Sequence, residues 1–115
     1  MSRFEAEAKG RRAEKFVALW LRLHGWRILG QRVRVAHGEV DIIARRGKTL
    51  AFIEVKWRAT AAELDLAIDQ RRLSRVVAAA QILAPRYMKP NDDVRIDVML
   101  LAPKRLPRHL IHVWQ

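Results

Sequence analysis

The sequence predicts an α/β fold in which a mixed β-sheet of about five strands is flanked by helices, in the order α-β-β-β-α-β-β. Two segments repeat apolar residues at three- and four-residue steps, as amphipathic helices do, and shorter apolar segments between turn-forming residues are typical of strands. A predicted hairpin is followed by a helix and a further strand, which indicates a sheet with both parallel and antiparallel pairs. The 115 residues are predicted to form a single domain, 1–115.

The amino-terminal half contains one predicted helix and three predicted strands. The helix spans residues 2–24 and ends before Gly25, a residue type that commonly terminates helices. Its apolar stripe is formed by Ala13, Phe16, Val17, Trp20 and Leu23. The strands are predicted over residues 26–36, 39–46 and 49–58.

The carboxy-terminal half contains a second predicted helix and two more strands. Thr60 and Glu63 match a capping box before this helical stretch, although the residues before Gln70 are less regular. Its apolar stripe is formed by Leu73, Val76, Val77, Ala80, Leu83 and Ala84. Pro85 and Pro90 are expected to end it. The remaining predicted elements are a turn at Asn91–Asp93, a strand at Val94–Leu101, a basic turn at Pro103–Pro107 and an edge strand at His109–Trp114.

The turn between the second and third strands determines which side chains lie together. If Gly47-Lys48 is a two-residue loop, Asp41 lies directly opposite Glu54. The same register places Glu39 opposite Lys56. Residues two apart on a strand share a face, so these three carboxylates and one ammonium would point in the same direction. A three-residue turn would shift the register by one and separate Asp41 from Glu54.

The predicted cluster has the composition of a divalent-metal site. Mg²⁺ prefers oxygen ligands and needs only one or two carboxylates, because it keeps several of its waters. Asp41 and Glu54 could supply them, and the backbone carbonyl of Val55 could add a third ligand. A metal held there would activate water and neutralise charge on a phosphate, while Lys56 would orient the water or stabilise the transition state.

Charged residues facing each other on a hairpin can also be ordinary cross-strand pairs on a solvent-exposed surface. The third strand weakens this interpretation, because Leu50 and Phe52 share a face with Glu54 while Ala51 and Ile53 share the other. A strand that is apolar on both faces is usually covered on both. Charges near the end of such a strand are costly unless they are paired or bound to a ligand.

The composition favours a nucleic-acid partner. Lysine and arginine number 23 against 12 acidic residues, a formal net charge of +11, which favours polyanions. Candidate phosphate contacts are Arg11, Lys15, Arg58, Arg71, Arg72 and Arg75. The sequence has no cysteine, so disulfides and thiolate zinc sites are excluded, and it lacks a Gly-rich phosphate loop. Without an apolar run of roughly 20 residues or a signal core, a cytoplasmic protein with no membrane partner is expected.

Four segments together carry a family resemblance. They are the Gly10…Glu14 helix start, Gly38-Glu39-Val40-Asp41-Ile42-Ile43, Phe52-Ile53-Glu54-Val55-Lys56-Trp57-Arg58 and Arg95-Ile96-Asp97-Val98. The chain resembles the YraN-like family of small uncharacterised bacterial proteins. That family belongs to the restriction-endonuclease-like, PD-(D/E)xK superfamily and is similar to archaeal Holliday-junction resolvases. The sequence departs from the family at Gln31, where asparagine is frequent, and at Asp69-Gln70-Arg71-Arg72, where a lysine is frequent.

The resemblance implies a restriction-endonuclease-like fold and an endonuclease that uses Mg²⁺ or Mn²⁺ on DNA in preference to RNA, with branched DNA as one substrate. It implies Asp41 and Glu54 as metal ligands, Lys56 as the catalytic lysine and Glu14 as an additional glutamate. Glu14 could equally form an ion pair with neighbouring arginines of its helix. Cutting both strands of a junction would require a homodimer. The alternatives are a non-catalytic nucleic-acid-binding module and a basic protein-interaction domain.

Overall fold

The computed structural model describes residues 3–59 and 70–114, with the side chains of the first helix described from Gly10 onward. Within these residues the elements are α1 (Arg3–Leu23), β1 (Arg27–Val35), β2 (Gly38–Arg46), β3 (Thr49–Trp57), α2 (Gln70–Tyr87), β4 (Asp93–Leu101) and β5 (Arg108–Leu110). The sheet order is β1-β2-β3-β4-β5, in which β3 and β4 are parallel and the other neighbours are antiparallel. The predicted mixed sheet and element order are confirmed.

The two helices cover opposite faces of the sheet, and β3 is buried between them. On one face, Val17 and Leu21 of α1 pack in a cluster with Ile53. On the other face, Leu73 of α2 packs in a cluster with Phe52. All five side chains are at most 1% exposed, and each such burial contributes roughly 1.5–3 kcal/mol. The prediction that β3 is covered on both sides is confirmed, so the polar residues at its end lie inside protein.

The β2–β3 hairpin has the predicted register. Its ladder runs from the pair Arg46–Thr49 to the pair Ile42–Ile53. Gly47 in the loop has a φ of +60°, a conformation that glycine adopts without a steric penalty. The ladder ends one position before Asp41 and Glu54, and the hairpin therefore opens where the sequence predicts the cluster of charges.

The backbone of helix α2 passes directly over Gly38 of β2. A Cβ atom at this position would lie 2.6 Å from the carbonyl oxygen of Arg75 and 2.7 Å from the amide nitrogen of Ala79. Because both are backbone atoms of α2, no side-chain rotation could relieve the overlap. Glycine at this position sets how close the arginines of α2 come to the carboxylates of β2 and β3.

Two predicted boundaries are wrong. Pro85 does not end α2, which continues to Tyr87, and the amide of Met88 still donates to the carbonyl of Ala84 over 2.8 Å. A proline this close to a helix end removes only its own N–H from the hydrogen-bond pattern. The last strand is confined to Arg108–Leu110 because His112 has a φ of +56°, which turns the chain away from the predicted strand over His109–Trp114.

The other end of α2 is only partly described. The Thr60–Glu63 capping box and the irregular segment before Gln70 fall outside the described residues. At the end of α1, Gly25 has a φ of +87° and terminates the helix as predicted. In the part of the chain that the structure describes, neither helix combines the length and apolar character needed to cross a membrane.

Candidate functional site

The candidate site lies where the β2–β3 ladder ends. There the N–H of Val55 donates to Oδ2 of Asp41 over 2.8 Å. The carboxylate thus acts as the acceptor for a β3 amide that has moved away from the ladder. Asp41 is held beside β3 as predicted, although through its side chain and not as the direct ladder partner of Glu54.

Glu54 lies among cations at the end of β3. Glu54 is 2% exposed and Lys56 is 6% exposed, and the Nζ atom of Lys56 lies 3.5 Å from Oε1 of Glu54. Nε of Arg72, in the first turn of α2, donates to the same oxygen over 2.6 Å. Burial lowers the pKa of Lys56, against which the charge of Glu54 acts. These contacts compensate a carboxylate that would otherwise be costly to bury.

Helix α1 brings a third carboxyl group, Glu14, to Asp41. The pKa of Glu14 is raised to about 7, first by burial and then by the negative charge of Asp41 and a hydrogen bond with it. Burial also raises the pKa of Asp41. Nε of Arg32 lies 3.5 Å from Oε2 of Glu14, so the ion-pair partner of Glu14 comes from β1 and not from its own helix. Burial thus favours the protonated form of both carboxyl groups.

Glu39 does not face Lys56 as the hairpin prediction requires. Its carboxylate instead lies 3.4 Å from Nε of Arg34 and about 4 Å from the guanidinium groups of Arg72 and Arg75. The ladder ends before Glu39 is reached, so the register of the hairpin no longer fixes its neighbour. Such partly exposed ion pairs each contribute little to stability, and they leave these arginines available to a stronger anion.

These side chains surround a polar cavity of about 140 Å³, here termed the carboxylate cavity. It is lined by Glu14, Arg32, Arg34, Glu39, Val40, Asp41 and Arg72. A small adjoining space is lined in part by Asp41 and Glu54. The side chains of the three lining arginines are between 45% and 80% exposed. The carboxylates thus lie inside the cavity, where they could bind a metal ion. The long arginine side chains lie at its mouth, where they could bind a phosphate.

The donor set fits a hard divalent cation. Glu14, Asp41 and Glu54 provide only carboxylate oxygens, the ligands that Mg²⁺ and Mn²⁺ prefer. Burial, and after it the charge of a neighbouring carboxylate, raises the pKa of both Glu14 and Asp41, and a bound cation would favour their charged forms. Among the described side chains of residues 10–59 and 70–114, no three acidic, histidine or cysteine groups already have the spacing of a complete metal site. A cation at Oε1 of Glu54 would displace the guanidinium of Arg72, which donates to this oxygen over 2.6 Å.

Of the basic residues predicted to contact phosphate, Arg72 lines the carboxylate cavity and Arg75 lines the adjoining space, while the others lie elsewhere on α1, after β3 and on α2. Arg11 and Lys15 are exposed on α1, on either side of Glu14, and Arg71 is exposed on α2. Arg58 follows β3, and its NH1 group donates to the carbonyl of Trp57 over 2.7 Å. Arg72 differs from the others because its guanidinium is bound to Glu54. The structure therefore gives it a role inside the site that the sequence does not predict.

Sequence reasoning missed two arginines of the carboxylate cavity. Arg32 and Arg34 alternate with Val33 and Val35 along β1, a signal that places both arginines on one face. Arg32 also has a φ of +52° within the strand, which no residue pattern indicated. This irregularity lies beside the position where β1 passes Asp41.

A second buried carboxylate, Asp97, lies in β4 and interacts with residues of β4, β5 and the segment after β5. Asp97 is 0% exposed and accepts hydrogen bonds from the guanidinium of Arg95 and the amide of His112, and it lies 2.8 Å from Nε2 of His109. The bond to His109, followed by that to Arg95, lowers the pKa of Asp97 against the effect of burial. The Arg95–Asp97 part of the motif thus fastens β5 to β4.

Comparison with known proteins places the chain among relatives of nearly equal length. The model of the Uncharacterised protein family UPF0102 matches residues 13–101. The UPF0102 protein of Sphingopyxis alaskensis is 72% identical over 115 residues, which cover 100% of this chain and 99% of the relative. The UPF0102 protein of Rhizorhabdus wittichii is 60% identical over 112 residues, covering 97% and 95%.

Among solved structures, the chain is similar to Archaeoglobus fulgidus Hjc, a Holliday junction resolvase from an archaeal hyperthermophile. The TM-score is 0.59 over 89% of this chain and 71% of that one, at 23% sequence identity. At this identity the similarity shows the fold. It confirms the predicted restriction-endonuclease-like architecture.

Proposed function

Since the chain belongs to the Uncharacterised protein family UPF0102, we propose that this protein is a metal-dependent endonuclease that hydrolyses phosphodiester bonds in DNA. The proposal depends on one observation, the convergence of Asp41, Glu54 and Lys56 with Glu14 at the end of the β2–β3 ladder. The fold similarity to a protein described as a Holliday junction resolvase supports branched DNA as the substrate class. Cutting both strands of a junction would require two copies of the chain.

In this proposal Asp41 and Glu54 hold Mg²⁺ or Mn²⁺, with the carbonyl of Val55 as a further ligand. The metal, when bound, would supply an activated water and compensate charge on the scissile phosphate. Lys56 lies beside Glu54, where its ammonium orients the attacking water or stabilises the developing negative charge. Glu14 positions the carboxylate of Asp41 from the opposite side.

The arginines at the mouth of the carboxylate cavity would bind the DNA backbone. Arg34 of this cavity and Arg75 of the adjoining space are more than half exposed, and among the described residues both make long ion-pair contacts with Glu39. A DNA phosphate could accept two short charge-assisted hydrogen bonds from a guanidinium, which the contacts of 3.4 and 4.0 Å with Glu39 do not provide. The backbone would thus be drawn towards the cavity that contains Asp41.

A non-catalytic nucleic-acid-binding module is the second candidate function. The observation that favours it is that Arg72 and Lys56 already compensate the charge of Glu54 within the protein. A carboxylate neutralised in this way could serve stability alone. The basic surface would then still bind phosphates, with a steep dependence on salt.

The deciding experiment measures cleavage of labelled single-stranded, duplex and four-way-junction DNA, and of RNA, with Mg²⁺, Mn²⁺ or EDTA. The variants are Glu54→Gln and Lys56→Met, which keep the size of each side chain and remove its charge. Each is expected to lower cleavage by at least about 100-fold, because each removes a charge from the transition state. DNA binding measured in EDTA should change little.

Asp93→Asn is the matched control, because Asp93 is exposed and pairs with Thr49 at the far end of β3. Its cleavage should equal that of the wild type, and circular dichroism and urea unfolding would show that all variants fold. If the folded wild type binds DNA in a salt-sensitive manner but cuts none of these substrates, the endonuclease proposal fails and the binding module is supported.

A further inference from the structure

A second cavity lies on the α1 side of the sheet, and none of its described lining residues lines the carboxylate cavity. It has a volume of about 390 Å³, in the range of ligand-binding cavities. Helix α1, the end of β3, and the end of β4 with its following turn contribute to its walls. Two of its lining residues, Phe16 and Trp57, are aromatic, and the cavity is here termed the aromatic cavity.

The aromatic cavity adjoins the candidate site on two elements. In α1, Ala13 lines the aromatic cavity and the next residue, Glu14, lines the carboxylate cavity. In β3, Trp57 lines the aromatic cavity and the preceding Lys56 contacts Glu54. Consecutive Cα atoms lie ~3.8 Å apart, while the side chains of Lys56 and Trp57 point to opposite faces of β3. The two cavities therefore lie on either side of the end of β3, and a nucleic-acid strand that passes around this end can reach both.

The lining residues select an anion that has a flat, apolar part. Leu101 and Pro103 contribute apolar surface, and Arg12 and Arg105 are exposed at the edge. No acidic side chain is present among the described residues that line the cavity. Aromatic rings stack on nucleobases, and guanidinium groups bind the phosphates on either side. Nucleotides have both features, whereas the apolar side chain of a peptide lacks the neighbouring phosphate.

We propose that the aromatic cavity binds an unpaired nucleobase of the strand whose backbone lies at the carboxylate cavity. A base inside a duplex is stacked between its neighbours and cannot enter such a cavity without being unstacked. The cavity would therefore favour nucleic acid in which unpaired nucleotides adjoin a duplex. This inference rests on the nucleic-acid binding in the proposed function, and it names the substrate class without requiring cleavage.

The test compares the affinities of Phe16→Ala and wild type for two fluorescent DNA probes in EDTA. One probe is a continuous duplex, and the other is the same duplex with a short run of unpaired thymines; an RNA version of the unpaired run forms a third arm. Phe16 is 49% exposed, so its removal should leave the fold intact. Phe16→Ala should weaken binding to the unpaired probes roughly tenfold and to the duplex less than about twofold.

Leu19→Ala is the matched control, because Leu19 is exposed to a similar extent, 53%, on the same helix but does not line the cavity. It should leave the affinity for every probe unchanged. Phe16→Trp should restore the preference for unpaired nucleotides, since it restores a stacking surface. A 5-iodouracil placed in the unpaired run should photo-crosslink to the peptides that contain Phe16 or Trp57.

Four results would overturn the inference. The first is equal loss of affinity for duplex and unpaired probes in Phe16→Ala, which would make Phe16 a general surface contact. The second is unchanged affinity for all probes. The third is a wild-type dimer, seen by light scattering, that Phe16→Ala converts to a monomer, because the cavity would then contact a second copy. The fourth is a wild-type protein that cleaves DNA but does not prefer the unpaired probes, which would contradict this inference and leave the endonuclease proposal intact. A preference for the unpaired probes without cleavage would support this inference and contradict the endonuclease proposal.

Discussion

Arg72 and a metal ion would compete for the same carboxylate. The guanidinium donates to Oε1 of Glu54 over 2.6 Å, while its side chain remains 45% exposed. An exposed arginine can turn away without a large packing cost, and the mouth of the carboxylate cavity offers it a phosphate. DNA binding and metal binding would then favour each other, because DNA would draw Arg72 away from Glu54 and a metal ion would take its place there.

Replacing Arg72 with glutamine should increase the affinity for Mn²⁺ in the absence of DNA. The expected gain is roughly two- to fivefold, since the loss of a partly exposed ion pair corresponds to about 0.5–1 kcal/mol. Electron paramagnetic resonance of free Mn²⁺ would measure it. Arg86→Gln, an exposed arginine in the last turn of α2, carries the same charge change as a control. A gain of equal size in both variants would mean that net charge, and not release of Glu54, is responsible.

The residues of the site differ in how far the sequence could predict them. Glu54 and Lys56 could be recognised because they interrupt a strand that is otherwise apolar on both faces. The place of Asp41 beside β3 could be predicted from the length of the turn, because the turn fixes the register of the hairpin as far as the neighbouring pair Ile42–Ile53. The bond from Arg72 to Glu54 could not be predicted, because it depends on the angle at which α2 crosses the sheet and on the position of its first turn relative to the end of β3.

Among the elements, α2 makes a contact with β2 that only glycine allows. Its backbone passes so close to Gly38 that a Cβ atom would lie 2.6 Å from a carbonyl oxygen. The helix also carries Arg72 and Arg75, so this contact determines whether their guanidinium groups reach Glu54 and Glu39. The position of a glycine in β2 thus controls the geometry of charges that belong to another element.

Gly38→Ala should destabilise the protein by roughly 1–3 kcal/mol, because the added methyl group forces α2 away from the sheet. Urea unfolding would measure the change. Gly10→Ala is the matched control: a Cβ atom there meets nothing within 4 Å, and alanine favours the helix by about 0.5–1 kcal/mol. Equal effects of the two substitutions would show that backbone entropy, and not the contact with α2, dominates at Gly38.

Elements were predictable where a local signal was sufficient. Gly25 ends α1, and Gly47 with Lys48 forms the hairpin loop, because these features depend on a few neighbouring residues. Pro85 was misread because a helix near its end tolerates the loss of one N–H. The early end of β5 was hidden because the turn at His112 is stabilised by Asp97, a residue of another strand.

On the scale of the whole molecule, an ion pair between β2 and the turn before β4 links the two halves of the chain at the end of the sheet away from the candidate site. NH1 and NH2 of Arg45 in β2 donate to the two carboxylate oxygens of Asp92 over 2.9 and 2.6 Å. Asp92 lies in the turn before β4 and also accepts a bond from the amide of Lys89. Arg45, followed by that amide, lowers the pKa of Asp92 from 3.8 to about 2. The turn is thereby fastened to the central hairpin.

This pKa shift predicts a defined window of acid sensitivity. A carboxyl group with a lowered pKa in the folded state stabilises it above the unfolded-state value, and this contribution is lost as the pH falls from about 4 to about 2. Asp92→Asn should therefore be less stable than the wild type at about pH 5, and the difference should shrink at about pH 3. Urea midpoints at the two pH values would measure it. A difference independent of pH would assign the loss to hydrogen-bond geometry and not to charge.

Both borders of the sheet are poor templates for another strand. On one side β5 offers only Arg108–Leu110, and the bonds from His109 and His112 to Asp97 draw the following chain back onto β4. On the other side β1 is irregular at Arg32 and carries exposed arginines along its length. Short, twisted or charged borders discourage intermolecular strand pairing. The edges of this sheet thus disfavour aggregation through strand pairing. Two copies bound to one DNA molecule would have to contact each other through helices or loops.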